Sequence, residues 1–200
     1  MHDTTLTEAL ANYFEDSGFD ETTYTETWTR FKVGPVPVIF PNTAERKRII
    51  QRHDLHHIAT GYSTDIMGEG EQGAWELGSG CGTNATAWGL NLLAMTPGLV
   101  ASPRRMLAAF RRGLRSKNLY APDARVDMSV TVQQLREELT LDDAADDSGA
   151  SNSGELLKFS GVAAGSLLMS AAALTMFPVM SLVGWTAYGL SNKRATASQA

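Results

Sequence analysis

The sequence predicts an all-α protein, in which a compact helical domain is followed by a flexible acidic linker and a C-terminal apolar helix. Three observations support this fold class. Apolar residues recur at helical spacing through much of residues 1–141, residues 142–154 carry four aspartates among small polar residues, and residues 159–192 contain no charged side chain. No alternation of apolar and polar residues is strong enough to predict a sheet. The chain therefore divides into a helical domain (1–141), a linker (142–154), a membrane segment (155–194) and a tail (195–200).

Five helices are expected in the domain, and their ends carry recognisable signals. Asn42 or Thr43 is placed to cap the second helix, and Gly61 ends it. The third helix is expected to break or kink near its glycines and to end at Pro97 and the following glycine. Prolines keep residues 33–41 extended. The predicted helices cover residues 5–15, 44–60, 65–95, 103–117 and 131–140.

A cluster of polar residues lies in the helix predicted over residues 44–60. His53 and His57 are four residues apart, so they share one face of the helix, and Asp54 borders that face. Isoleucines on the same side indicate that this face points toward the core. Burying two imidazoles and a carboxylate without partners is costly, and a metal ion would satisfy all three groups.

The chain reversal expected at Gly61 would bring Glu69, in the first turns of the next helix, opposite His57. The predicted metal site therefore consists of His53, Asp54, His57 and Glu69. Two nitrogens and two carboxylates suit Zn²⁺, Fe²⁺, Mn²⁺ or Co²⁺, with zinc favoured. Glu69 and Asp54 are also candidate catalytic groups, because a carboxylate beside a metal can move protons. The alternative is a helix pair whose histidines are hydrogen-bonded without a metal.

Composition excludes several other classes of protein. The net charge of −5 argues against a nucleic-acid partner, and the single cysteine cannot form an internal disulfide. The acidic N-terminus does not resemble a secretory signal, so we expect the domain to stay in the cytoplasm. Four histidines are too few for the membrane desaturases, and the further His and Asp ligands of the HD-domain phosphohydrolases are missing.

The uncharged segment of 34 residues, 159–192, predicts membrane insertion. A single pass needs about 20 apolar residues, whereas two passes and a turn need roughly 40. Pro178 is expected to kink or break the helix, so a single pass over about 159–178 is the preferred prediction and a re-entrant hairpin the alternative. The GxxxG spacing of Gly161 and Gly165 is compatible with close helix packing or with chance in an alanine-rich segment.

The metal cluster and its surroundings resemble a known family. His53-Asp54-Leu55-His56-His57, followed by eleven residues and Glu69, is similar to the HDxxH-(x)11-E signature of the fourth coenzyme Q biosynthesis protein family. Arg52, the Gly61-Tyr62 pair, residues 65–69 and the sequence LREELTL at 135–141 also resemble members of that family. The resemblance covers about residues 5–141 and is strongest over residues 41–77, and the apolar tail lies outside it.

This resemblance implies a mostly helical protein that binds one divalent metal ion through the motif and acts in ubiquinone biosynthesis. The family organises quinone biosynthesis enzymes and their prenylated lipid intermediates at a membrane, and a direct role in removing the C1 carboxylate of the prenylated ring has been attributed to it. For this chain we expect the bacterial cytoplasmic membrane, other quinone biosynthesis enzymes as partners, and a possible homo-oligomer. A non-catalytic lipid-binding scaffold and a membrane-tethered adaptor with a structural metal site are the alternatives.

Overall fold

The structure, a computed structural model, describes residues 4–17, 22–33, 36–121, 124–141 and 152–197. Within these ranges it contains eight helices and one β-hairpin, which confirms the all-α fold class. The helices are α1 (Leu6–Ser17), α2 (Thr22–Thr25), α3 (Ala44–Thr60), α4 (Ile66–Ser79), α5 (Ala85–Ala101), α6 (Pro103–Leu114), α7 (Val132–Glu138) and α8 (Ser153–Ala197), and the strands are β1 (Trp28–Val33) and β2 (Val36–Pro41).

The hairpin differs from the prediction, which had no sheet and only an extended segment over 33–41. Strands β1 and β2 pair antiparallel, with Trp28 opposite Pro41 and Val33 opposite Val36. Both strands of a two-stranded sheet are edge strands, so prolines can occupy positions whose missing amide would face outward. Because the strand is rich in proline and shows no clear alternation of apolar and polar residues, its sequence did not predict the pairing.

The turn between α3 and α4 positions the predicted metal ligands. The Thr43 side chain accepts a hydrogen bond from the Arg46 amide, and Gly61 ends α3 with a φ of 79°. Asp65 then caps α4 by accepting hydrogen bonds from the amides of Met67 and Gly68. Local residues thus set both ends of α3 and the start of α4. Helix α4 then returns along the face of α3 that carries His53 and His57.

Helix α4 forms the centre of the domain between α5 and α6. Its Trp75 is fully buried. A Cβ atom at Gly78 would collide with the carbonyl oxygen of Phe110, and one at Gly113 would collide with that of Trp75. These glycines allow the backbones of α4 and α6 to approach closely, so their role here is tight helix packing.

The prediction that Pro97 and Gly98 end a helix was wrong, because α5 continues to Ala101. Proline removes one helical hydrogen bond but does not prevent the next turn from forming, and the Ser102 amide donates to the Gly98 carbonyl over 2.8 Å. Gly98 also lies directly against the Met106 side chain, which would have to shift if Gly98 carried a Cβ. The last turn of α5 is thus helical and packed on α6.

The C-terminal segment forms one helix, α8, which continues through Pro178 without the predicted break and without a re-entrant turn. Its apolar part, Ser153–Leu190, is long and apolar enough to cross a membrane. The 45 residues of α8 would extend about 68 Å, more than twice the hydrocarbon thickness of a bilayer. Most of the predicted linker lies outside the described residues, but its last two residues, Ser153 and Gly154, begin α8.

Helix α8 packs on α5 and β2 through small and hydroxyl-bearing residues. Ser166 is fully buried and donates to the Leu92 carbonyl, and Thr96 bonds the hydroxyl groups of Ser166 and Ser170 over 2.8 and 2.7 Å. The leucines of α8 point outward instead: Leu168 is 71% exposed. Small and polar groups inside, with large apolar groups outside, is the pattern of membrane helices and the reverse of a soluble core helix.

Substituting Ser166 with leucine should loosen α8 from α5, because the larger side chain cannot fit at a fully buried contact. We expect a loss of about 1–3 kcal/mol in the free energy of unfolding, the usual cost of overpacking. Thermal unfolding in detergent measures the effect, with Leu168→Ala on the outward face as the control, expected within about 0.5 kcal/mol of wild type. Equal effects of the two changes would contradict the observed orientation of α8.

Candidate metal centre

His53, His57 and Glu69 converge on one point, as the helix pattern predicted. Nε2 of His53 lies 3.1 Å from Nε2 of His57. Oε2 of Glu69 lies 3.3 Å from Nε2 of His53, and Oε1 of Glu69 lies 3.4 Å from Nε2 of His57. Ligand atoms of these three residues therefore come together within the size of a single metal site.

The spacing of these atoms fits a metal ion. Zinc bonds of 2.0–2.1 Å in tetrahedral geometry separate neighbouring ligand atoms by about 3.3 Å. The three observed separations, 3.1, 3.3 and 3.4 Å, lie close to this value. The group could therefore hold one divalent ion with two nitrogens and one carboxylate, which would leave at least one coordination position for water or substrate.

The second nitrogen of each histidine is oriented in the way that metal ligation requires. Nδ1 of His53 lies 2.9 Å from a carboxylate oxygen of Glu76, and Nδ1 of His57 lies 3.0 Å from the Tyr62 carbonyl oxygen. Both partners are acceptors, so both rings can carry their proton on Nδ1 and present an unprotonated Nε2 to the shared point. Outer partners of this kind commonly orient the histidines that bind metals.

Glu76 is the centre of a buried polar network behind the site. Its side chain is fully buried, and the carboxylate accepts hydrogen bonds from groups on four segments of the chain. The partners are His53 Nδ1 (2.9 Å), His56 Nδ1 (2.8 Å), Gln72 Nε2 (3.0 Å), Asn91 Nδ2 (2.6 Å) and the Tyr120 hydroxyl (2.7 Å). Five donors on one carboxylate offset the cost of burying its charge.

His56 belongs to this network and not to the metal group. Its Nδ1 donates to Glu76, and its Nε2 accepts from the Leu119 amide over 2.8 Å. Both ring nitrogens are thus used within the fully buried core. The middle histidine of the motif therefore ties α3 to the segment after α6.

The charges of the site favour the ionised forms of both His53 and Glu69. Burial disfavours the charged form of His53, but the carboxylates of Glu76 and Glu69 raise its pKa well above the ordinary value. Burial likewise opposes ionisation of Glu69, yet hydrogen bonds from His53 and His57 lower its pKa to about 2. A metal ion must displace the His53 proton, so metal affinity is expected to rise with pH.

Asp54 lies beside this group but outside it. Its carboxylate accepts hydrogen bonds from the hydroxyl groups of Tyr24, at 2.5 Å, and Tyr13, at 3.3 Å. Burial raises the pKa of Asp54, and the Tyr24 hydrogen bond opposes this effect. The role of Asp54 as a metal ligand stays a prediction, since only His53, His57 and Glu69 bring ligand atoms together among the described residues.

A mainly apolar cavity of about 380 Å³ opens onto the site. Helices α1 to α5 and Tyr120 contribute to its walls, and its charged and imidazole side chains are Arg46, His53, Asp54 and Glu69. The volume falls within the range of small-molecule sites. The lining residues are Tyr13, Phe14, Thr23, Arg46, Ile49, Ile50, His53, Asp54, Thr64, Glu69, Leu90, Asn91, Ala94 and Tyr120.

Sequence reasoning missed Glu76, although a signal was present. Glu69 and Glu76 are seven residues apart, which places both on one face of α4 toward the histidines of α3. Tyr13 and Tyr24 gave no comparable signal, because they come from helices whose packing on α3 no local pattern indicates.

Comparisons with known proteins give no match. No model of a protein family matches the chain, and neither the curated proteins nor the solved structures contain a significant relative.

Metal analysis of the purified protein should find close to one divalent ion per chain. His57→Ala removes one of three converging ligand atoms, so it should lose the metal. Asp54→Asn should retain it, because the Asp54 oxygens are already bonded to two tyrosines. Elemental analysis by mass spectrometry measures both. A metal-free Asp54→Asn protein would make Asp54 a ligand, and a fully loaded His57→Ala protein would remove the site altogether.

Replacing Glu76 with glutamine should destabilise the metal-free protein by roughly 3–5 kcal/mol at pH 7, the cost of breaking a buried charged network. His53 and His56 hold the pKa of Glu76 well below its ordinary value against the effect of burial. A lowered pKa contributes stability above the unfolded value, near 4.3, that is lost as the pH falls through the folded value.

The difference between wild type and Glu76→Gln should therefore be full at neutral pH and shrink below about pH 4.5. Denaturant unfolding across this range measures it. Glu45→Gln, at an exposed position of α3, is the control and should change stability little. A pH-independent difference would contradict the role assigned to the Glu76 charge.

Proposed function

We propose that this protein binds a divalent metal ion at His53, His57 and Glu69 and acts in ubiquinone or related prenylquinone biosynthesis at a membrane. The observation that carries the proposal is that two members of the three-ligand group, His53 and Glu69, line a mainly apolar cavity. A structural metal site is usually closed by four protein ligands, whereas a catalytic site keeps a position open. Three converging ligands beside a cavity favour the second arrangement.

The substrate class follows from the motif and the cavity together. The HDxxH-(x)11-E signature resembles a family that handles prenylated ring intermediates, and an apolar cavity is suited to such a lipid. The outward-facing leucines of α8 support a location at the membrane in which these lipids dissolve. Localisation in a bacterial cytoplasmic membrane, with the domain in the cytoplasm, is part of this proposal.

Different residues of the cavity would bind the lipid, hold the metal ion and move a proton. Phe14, Ile49 and Ile50 would hold the apolar part of the lipid and exclude water, while His53 and Glu69 would hold the metal. The bound ion would act as a Lewis acid on the ring oxygens and stabilise negative charge as carbon dioxide leaves. Asp54, oriented by Tyr13 and Tyr24, lines the same cavity and would hold or deliver a proton at the reacting ring.

A scaffold is the second candidate function. The ligands connect α3 to α4, so a metal ion would also stabilise the helix pair around which the domain is built. In that case the protein would present lipid intermediates to other quinone biosynthesis enzymes without reacting with them.

Glu69→Gln separates the two functions, because it keeps the size of the side chain and removes its charge. If the protein is a decarboxylase, cells that carry only this variant should accumulate a prenylated ring that retains its carboxylate. A scaffold predicts instead that several later intermediates decline together. Quinone-intermediate profiling measures the outcome, with Glu71→Gln on the same helix as the control, since Glu71 pairs with Arg105. A normal profile in Glu69→Gln cells would contradict both functions.

A further inference from the structure

Arg46 is a cation in the wall of the metal cavity that has no acidic partner among the described residues. It lies on the same face of α3 as His53, two helical turns earlier, or about 10 Å along the helix axis. Its side chain lines the cavity that also contains His53 and Glu69. The cavity thus has metal ligands toward one end and a guanidinium toward the other.

The hydrogen bonds of Arg46 hold it in place without neutralising it. One terminal nitrogen, Nη1, donates to the Thr29 hydroxyl and to the Asn42 side-chain carbonyl, each over 2.9 Å. Both acceptors are neutral. The guanidinium also lies over the Phe40 ring, 5.0 Å from its centre. These contacts fix the direction of the side chain, and no charged group in the described ranges compensates its positive charge.

The Nε atom of Arg46 is buried and donates to no group in the part of the chain that the structure describes. A buried donor without a partner is destabilising, and more so when it is charged. Burial also lowers the pKa of the guanidinium, and no carboxylate among the described residues offsets this effect. Since Nε is out of reach of the cavity and Nη1 is occupied by Thr29 and Asn42, Nη2 is the nitrogen that remains to bind an anion in the cavity.

We propose that Arg46 binds the carboxylate of an aromatic acid in the metal cavity and so selects the acid over its decarboxylated product. This inference rests on the proposed function, because it places the ligand in the same cavity. Tyr13, Phe14 and Ile50 supply the apolar walls for the ring, and Leu90 and Ala94 extend the apolar surface for an attached chain. Arg46 would be a specificity-determining residue.

The test compares two ligands that differ only in the carboxylate. Full-length, zinc-loaded protein in detergent is titrated calorimetrically with 4-hydroxybenzoate bearing a short 3-prenyl chain, and with the matching 2-prenylphenol. Hydrogen bonds to charged groups are worth about 1.5–3 kcal/mol, so wild type should bind the acid roughly 10- to 100-fold more tightly than the phenol. Arg46→Gln should lose this preference and bind the phenol as wild type does.

Two further variants test whether the preference depends on the guanidinium group and on its position at residue 46. Arg46→Lys keeps the charge but loses the planar guanidinium that Thr29, Asn42 and the Phe40 ring hold in place, so it should retain only part of the preference. Arg52→Gln is the matched control, because Arg52 is on the same helix but lines a different cavity, and its preference should equal that of wild type. An acid preference that survives intact in folded Arg46→Gln protein would overturn the inference.

The wild-type measurement keeps the inference testable even if Arg46→Gln does not fold, since equal binding of acid and phenol by wild type also overturns it. Metal content, measured on the same samples, reports separately on the proposed function. Metal-loaded protein that binds both ligands equally leaves the proposed function standing and removes the role of Arg46. Protein that binds neither ligand contradicts both.

Discussion

The buried carboxylate of Glu76 is the interaction on which the rest of the structure depends. It lies at the centre of the domain and collects donors from α3, α4, α5 and the segment after α6. A buried charge is tolerated only when its partners are all in place, so these elements can adopt very few relative positions. The same carboxylate orients His53. The packing of the core and the geometry of the metal group therefore depend on the same hydrogen bonds.

The sequence predicted the parts of the site that local rules determine. Spacing on a helix places His53 with His57, and the Gly61 turn, with a helix starting near residue 65, brings Glu69 to them. The partners of Asp54 could not be predicted in this way, because Tyr13 and Tyr24 reach it through the tertiary packing of α1 and α2 on α3. The β-hairpin was missed for a related reason, since its pairing depends on two segments and the proline-rich strand resembles an isolated extended chain.

In the C-terminal segment, composition predicts a helix long and apolar enough to cross a membrane, and α8 is such a helix. The absence of charge over residues 159–192 indicated a membrane segment, and the outward leucines of α8 agree with that environment. Pro178 suggested a break that the helix does not have, because one missing hydrogen bond is a small perturbation in a 45-residue helix. The packing of α8 on α5 through Ser166 and Thr96 could not be predicted from spacing, because the two residues are 70 positions apart in the sequence.

X-ray absorption spectroscopy of zinc-loaded protein can show whether two imidazoles and one carboxylate form an open metal site. We expect two imidazole nitrogens at about 2.0–2.1 Å, carboxylate oxygen at about 2.0–2.2 Å and an additional light-atom ligand from solvent. A shell with sulfur at about 2.3 Å, or with one or three imidazoles, would contradict the site that His53, His57 and Glu69 define.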